Sequence, residues 1–373
     1  MESASPFELQ QTLADLPKVD LHRHLEGSLR LKTLLEVAKE QDLDLPHEEA
    51  KLRTQVQIAG EQPKTLPNFL SKFRTLRQIY RSPEIIRRVT QEAVEDAAAD
   101  HIRYLELRFT PVALSQAKDF PLAEVVDWVV EFAGEAAEDT GVQVGLIVSV
   151  NRHEPVGLAE KVVQLAADRI GKGIVGLDLA GNEDEFPADP FATMFRSARA
   201  AGLGITVHAG EWSGPVSVLH ALNGMHAERI GHGVRVMEDL AAVNAARESR
   251  AVFEVCLTSN LHSGVVPGMD GHPLPQMIDS GLQVTLNTDD PGISNIRLSD
   301  EYYTAVTELG LSIETLKGLI LTAAQAAFLP ERGKRELEGE LKKAFGLAAT
   351  SDAPFGSAQD APFGSAQDAQ GRA

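Results

Sequence analysis

The chain of 373 residues holds a single cysteine, Cys256, so no intramolecular disulfide can form. A reducing compartment is the simplest expectation. Basic residues are also scarce: 35 Lys and Arg stand against 54 Asp and Glu, a net charge of -19. Such a surface repels phosphate backbones and anionic lipid, so nucleic acid and membrane surfaces are not expected partners. No apolar run approaches the length of a membrane span. The start, MESASPFELQ, lacks a basic segment leading into an apolar core and does not read as a secretory signal. A soluble cytoplasmic protein is expected, with its oligomeric state left open.

What is present is a recurring pattern. Short apolar, β-branched runs occur at 18–22, 104–110, 142–150, 173–181, 204–210, 229–233, 251–260 and 282–290. Continuous apolar runs, rather than strict alternation, suit parallel strands covered on both faces. The stretches between them read as helices. In SLRLKTLLEVAKE, Leu31, Leu34, Leu35 and Ala38 form one stripe, with Ser28 as the expected N-cap. A second helix opens with Ser82 as cap and Pro83 at the first helical position. Eight β-then-α units predict an α/β fold, a (β/α)8 TIM barrel over residues 1–345. The alternative, an open doubly wound sheet, lacks the Gly-rich phosphate loop after its first strand. Roughly 80 residues separate the first two strands, far more than a usual βα loop. The insertion, about 28–100, is expected to lie over the barrel mouth as a helical lid. The octapeptide APFGSAQD occurs twice in succession, at 353–360 and 361–368, so 346–373 reads as a disordered low-complexity tail.

Polar chemistry collects at the predicted strand ends, which in such a barrel is the catalytic face. His22 and His24 end the first strand and, two apart, point the same way. His208 and Glu211 follow the fifth, His232 ends the sixth, and Asp289 and Asp290 end the eighth. Histidines and a carboxylate at one face suit zinc, ahead of iron or manganese. The fourth run, GIVGLDLAG, has no lysine to bridge two metals, which favours one ion per chain. His47, His101, His153, His220 and His226 fall in predicted loops or helices and read as solvated. His262 and His272 follow the seventh strand and could lie near the site. Asp178 and Asn182 are weaker candidates.

The motifs PKVDLHRHLEGSL, LPNFLSKF, LELRFTP, LDLAGNE, HAGE, RIGHGV, CLTSN and LNTDDP occur in an order that resembles the adenosine deaminases of the amidohydrolase superfamily, over about residues 15–340. The resemblance implies one Zn2+ held by His22, His24, His208 and Asp289. It implies hydrolytic deamination of adenosine or 2′-deoxyadenosine to inosine and ammonia, with a zinc-activated water attacking purine C6. Glu211 looks like the acid that protonates N1, and His232 like the base that orients and deprotonates the water. Asp290 would hold the attacking hydroxide or N7, and the Gly181 backbone N–H would meet N3. Ala209 and Gly210 would be small so that backbone and substrate approach closely. Leu66, Phe69 and Phe73 would form an apolar wall, or merely pack between helices. Glu26 stands where adenosine-specific members carry aspartate against the ribose 5′-hydroxyl. The same chemistry on adenine, or on a modified 6-amino purine nucleoside such as aminofutalosine, therefore stays open. So does another amidohydrolase-type metal-dependent hydrolysis.

Overall fold

The computed structural model describes residues 5–60 and 62–347. The repeated octapeptides lie outside them. Eight parallel strands form one sheet in sequential order: β1 Lys18–His24, β2 Ile102–Phe109, β3 Gln143–Asn151, β4 Ile174–Ala180, β5 Gly204–His208, β6 Arg229–Gly231, β7 Val252–Val255 and β8 Gln283–Leu286. The sheet closes on itself just beyond β8. Asp289 N–H donates to His22 O at 2.7 Å, and His24 N–H donates to Asp289 O at 2.8 Å. Helices follow the strands around the outside, so the fold is the expected (β/α)8 barrel. No helix among the described residues is long and apolar enough to cross a membrane.

The strands alternate more than the apolar reading allowed. In β2, Tyr104, Glu106 and Arg108 interleave with Leu105, Leu107 and Phe109. Arg108 contacts Glu254 at 2.9 Å, although β2 and β7 are not neighbours, so this row points into the barrel. Glu254 also pairs with Arg229 of β6 at 2.6 Å, and Arg229 pairs with Glu106. All four are essentially inaccessible to water. The barrel is thus filled by a chain of alternating charges, each neutralised by the next, while aliphatic residues face the helices. Removing one member would leave a buried charge unpaired, which is costly.

Between β1 and β2 lie helices Leu31–Glu40, Glu49–Val56, Leu66–Leu76 and Pro83–Ala99. Leu34 and Ala38 are buried on the predicted stripe, while Leu31 and Leu35 are half-buried against the core. Ser82 caps its helix as expected, accepting from the Ile85 N–H. Ser28 does not cap: the helix begins at Leu31 after Arg30, and the Ser28 hydroxyl donates instead to His24 O at 2.6 Å. That bond ties the loop after β1 back to the strand end. The seventh run is also shorter than read. β7 stops at Val255, and Leu257–His262 forms a short helix.

Candidate functional site

Closure of the barrel brings four side chains together at its C-terminal mouth. His22, His24, His208 and Asp289 each offer a ligand atom within 4.8 Å of the others. Asp289 Oδ1 lies 3.2 Å from His22 Nε2 and 3.3 Å from His24 Nε2. His24 Nε2 and His208 Nε2 are 3.3 Å apart. Two of the rings are aimed from behind. His22 Nδ1 lies 2.7 Å from Glu254 Oε2, and His208 Nδ1 lies 2.9 Å from Asp178 Oδ1. A carboxylate there takes the Nδ1–H and leaves the Nε2 lone pair facing the centre. Burial pushes the His208 pKa down to about 4, so the ring is neutral. The Ser259 hydroxyl donates to Asp289 Oδ2 at 2.6 Å.

The residues fit a metal ion. His22 Nε2 is buried without any hydrogen-bond partner, and it points at the cluster. Three imidazoles and one carboxylate are a donor set that zinc accepts. Asp178→Asn keeps the shape but removes the charge behind His208. The variant is expected to bind zinc about 10–100-fold more weakly in competition with a chelating dye.

Beside the cluster lies a cavity of about 580 Å³, lined by all the remaining predicted site residues: Glu211, His232, Asp290, Gly181, Glu26, Phe69 and Phe73. Glu211 follows β5 on a loop pinned by one side chain that the sequence reading passed over. Glu183 accepts the backbone N–H groups of Gly210, Glu211, Trp212 and Ser213 at 2.6–3.0 Å. Burial, then Asp289 and Glu183, push the Glu211 pKa well above the usual carboxylate range. Burial therefore favours the protonated form of Glu211. Packing constrains the small residues beside it. Ala209 is fully buried, and Gly210 has φ +70, with a Cβ there only 2.4 Å from Val218 Cγ2. The positive φ and packing against helix Pro215–Met225 already require the glycine.

His232 and Asp289 both adopt the left-handed backbone, φ 58 and 60. Such conformations cost on the order of 1 kcal/mol or more for a non-glycine residue, and persist where surrounding bonds enforce them. For His232 those bonds also set the ring. Leu274 N–H donates to His272 Nδ1 at 3.1 Å. Burial depresses the His272 pKa to about 4, so the neutral ring carries its hydrogen on Nε2 and donates to Asn260 Oδ1 at 3.2 Å. Asn260 Nδ2 then donates to His232 Nδ1 at 3.1 Å. Burial also lowers the His232 pKa well below its ordinary value. The neutral His232 thus carries its hydrogen on Nε2, 3.7 Å from Glu211 Oε2 and 3.9 Å from Asp289 Oδ2. A histidine so arranged presents a hydrogen-bond donor towards both carboxylates. Asn260 and Ser259 were read as strand. They sit on the short helix Leu257–His262, whose first N–H groups are held by the buried Glu301 carboxylate at 2.7 and 3.1 Å.

Asp290 has its Oδ1 buried without a partner, and a Cβ at Gly27 would lie 1.6 Å from it, so only glycine fits in the first motif. Burial and the adjacent Asp289 push the Asp290 pKa well up. Glu26 Oε1 accepts the Thr110 N–H at 3.0 Å, while its Oε2 is buried and unpartnered in the cavity wall. The rings of Phe69 and Phe73 meet edge to face, 6.2 Å apart. Of the histidines read as solvated, His153 is exposed but lines the cavity. His262 is half-buried and touches Ser294.

Residues 17–344 match the adenosine deaminase family profile. The chain belongs to the adenosine deaminase family. An adenosine deaminase from Shigella flexneri is 38% identical over 323 residues, 86% of this chain and 96% of that protein. Among solved structures, Arabidopsis ADAL complexed with GMP aligns with a TM-score of 0.80 at 28% identity, covering 90% of this chain and 98% of the other. An amidohydrolase from Burkholderia ambifaria with bound Zn aligns with a TM-score of 0.82 at 25% identity, over 93% and 95%. As a member of the adenosine deaminase family, this chain is an aminohydrolase, and the family's chemistry is deamination of a 6-aminopurine.

Proposed function

We propose that the protein deaminates adenosine or 2′-deoxyadenosine to inosine with a single zinc ion. The observation that carries this reading is Glu211: a buried carboxyl, its pKa raised by that burial, in the same cavity as the four-residue metal cluster. When bound by His22, His24, His208 and Asp289, zinc lowers the pKa of water towards about 7. Attack at purine C6 breaks ring conjugation, and a proton given by Glu211 to N1 lets the ring accept the electron pair. His232 holds the attacking oxygen through its Nε2–H. Asp290, its pKa raised by burial, reaches N7, and the Gly181 N–H meets N3. One proton of the attacking water passes to the amino group, which leaves as ammonia as the C6–N bond breaks, and the other restores the Glu211 carboxyl. Phe69 and Phe73 supply the apolar wall, and their helix acts as the lid that excludes water. Glu26 Oε2, an acceptor without a donor, takes a sugar hydroxyl.

Purified protein loaded with zinc is expected to release ammonia from adenosine and form inosine. Absence of turnover on adenosine, 2′-deoxyadenosine and adenine alike would sink the proposal. Glu26 favours a second reading, the same chemistry on a nucleoside modified on its ribose.

A further inference from the structure

A second, shallower cavity of about 460 Å³ adjoins the first, sharing Leu70, Phe73 and Arg77 with it. Its charged lining is Arg74, Arg77 and Arg81, and no carboxylate lines it. In a chain with net charge -19 this is unusual company. On the neighbouring elements, Arg30 pairs with three carboxylates and Arg88 with two. Among the described residues, Arg74, Arg77 and Arg81 form no ion pair within 4.0 Å. Arg77 Nε is buried without a hydrogen-bond partner, and its guanidinium lies 5.7 Å from the Phe73 ring centroid. Three guanidiniums with no carboxylate oxygen within 4.0 Å are poised for a planar anion. The inner wall has the opposite character. Glu26 keeps a buried, unpartnered carboxylate oxygen in the first cavity's wall, and Glu154, which lines neither cavity, keeps another within the field of Arg77. A dianion placed directly against that wall is repelled, whereas neutral hydroxyls are accepted. The order from the metal cluster outward is therefore purine acid, hydroxyl acceptors, then cations.

We infer that the Arg74–Arg77–Arg81 face is an anion subsite for 6-aminopurine nucleosides whose ribose carries a 5′ extension ending in a carboxylate or a phosphate. The inference rests on the deaminase reading for the position of the purine. It also gives a reason for Glu26: the 5′ position meets an acceptor, and the anion lies beyond it.

The test compares matched substrates that differ by the terminal charge. 5′-Carboxymethylthio-5′-deoxyadenosine is set against 5′-methylthio-5′-deoxyadenosine, and ADP against AMP and adenosine. The anion-terminated extension is expected to raise kcat/KM by about tenfold through KM, the factor that 1.4 kcal/mol gives. The advantage should shrink as salt rises. An Arg74→Gln, Arg81→Gln double variant, changed outside the deamination cavity, should lose that advantage and keep adenosine turnover. The carboxylate and phosphate arms show which anion is preferred. Equal kcat/KM for charged and neutral partners, or an advantage that survives the double variant, overturns the subsite. If no compound is deaminated, the functional reading fails separately. Calorimetric affinities of the same pairs, at low and raised salt, then decide the subsite on their own.

Discussion

Glu211→Gln is expected to lower kcat about 10³-fold, within the range that a positioned general acid contributes. Zinc content should stay unchanged. Glutamine matches the shape and keeps the loop's anchor, because the loop is pinned by Glu183 rather than by Glu211 itself. What is lost is the proton. The pH profile separates this role from a structural one. The Glu211 pKa is raised, chiefly by burial, so the acid form persists above the usual carboxylate range. As pH climbs through that raised value the proton is lost, and kcat should fall on the alkaline side. The glutamine variant has no proton to lose there, and its residual rate should lack that limb. An unchanged kcat, or the same alkaline limb in both proteins, would show that Glu211 donates nothing to the substrate.

Much of this site was visible in the sequence because a barrel puts strand ends on one face. His22, His24, His208 and Asp289 could be placed there by counting runs, and closure of the barrel through Asp289 brought them together. The groups behind them were less visible. Asp178, Glu254 and Arg108 lie inside runs read as continuous apolar strand, yet each sits in an alternating position: L-D-L, F-E-V, L-R-F. Asp178 stood out only as a weaker candidate; reading the period rather than the mean hydropathy would have found Glu254 and Arg108 as well. Asn260 and Ser259 were hidden by a boundary. The run 251–260 has no proline or glycine to mark where strand gives way to helix at Leu257. Glu301 gave no signal, since a carboxylate on an amphipathic helix normally faces water. Here it is fully buried against two N–H groups, and burial pushes its pKa up to about 7. The tautomer of His232 depends on three bonds spanning 42 residues, and no local pattern encodes it.

His24→Ala is expected to abolish zinc binding and turnover while leaving the zinc-free fold nearly intact. The choice of ligand matters because the three histidines are not equivalent. His22 and His208 each donate from Nδ1 to a carboxylate buried in the barrel, Glu254 and Asp178. Deleting either leaves that carboxylate short of a partner in a water-free interior, and the destabilisation would mix with loss of the ion. His24 carries no such duty among the described residues. Its Nε2 faces Asp289 and His208, and its ring is only partly buried. Removing it should lower kcat by about 10³-fold or more, given the several kcal/mol that a Lewis-acidic ion supplies. Elemental analysis should show zinc falling from about one per chain to a trace. Melting temperatures of chelated wild type and chelated His24→Ala should agree within about 4 °C, a difference near 1 kcal/mol or less. Chelated His208→Ala should melt clearly lower. If His24→Ala keeps full zinc and full activity, the four side chains do not share one ion.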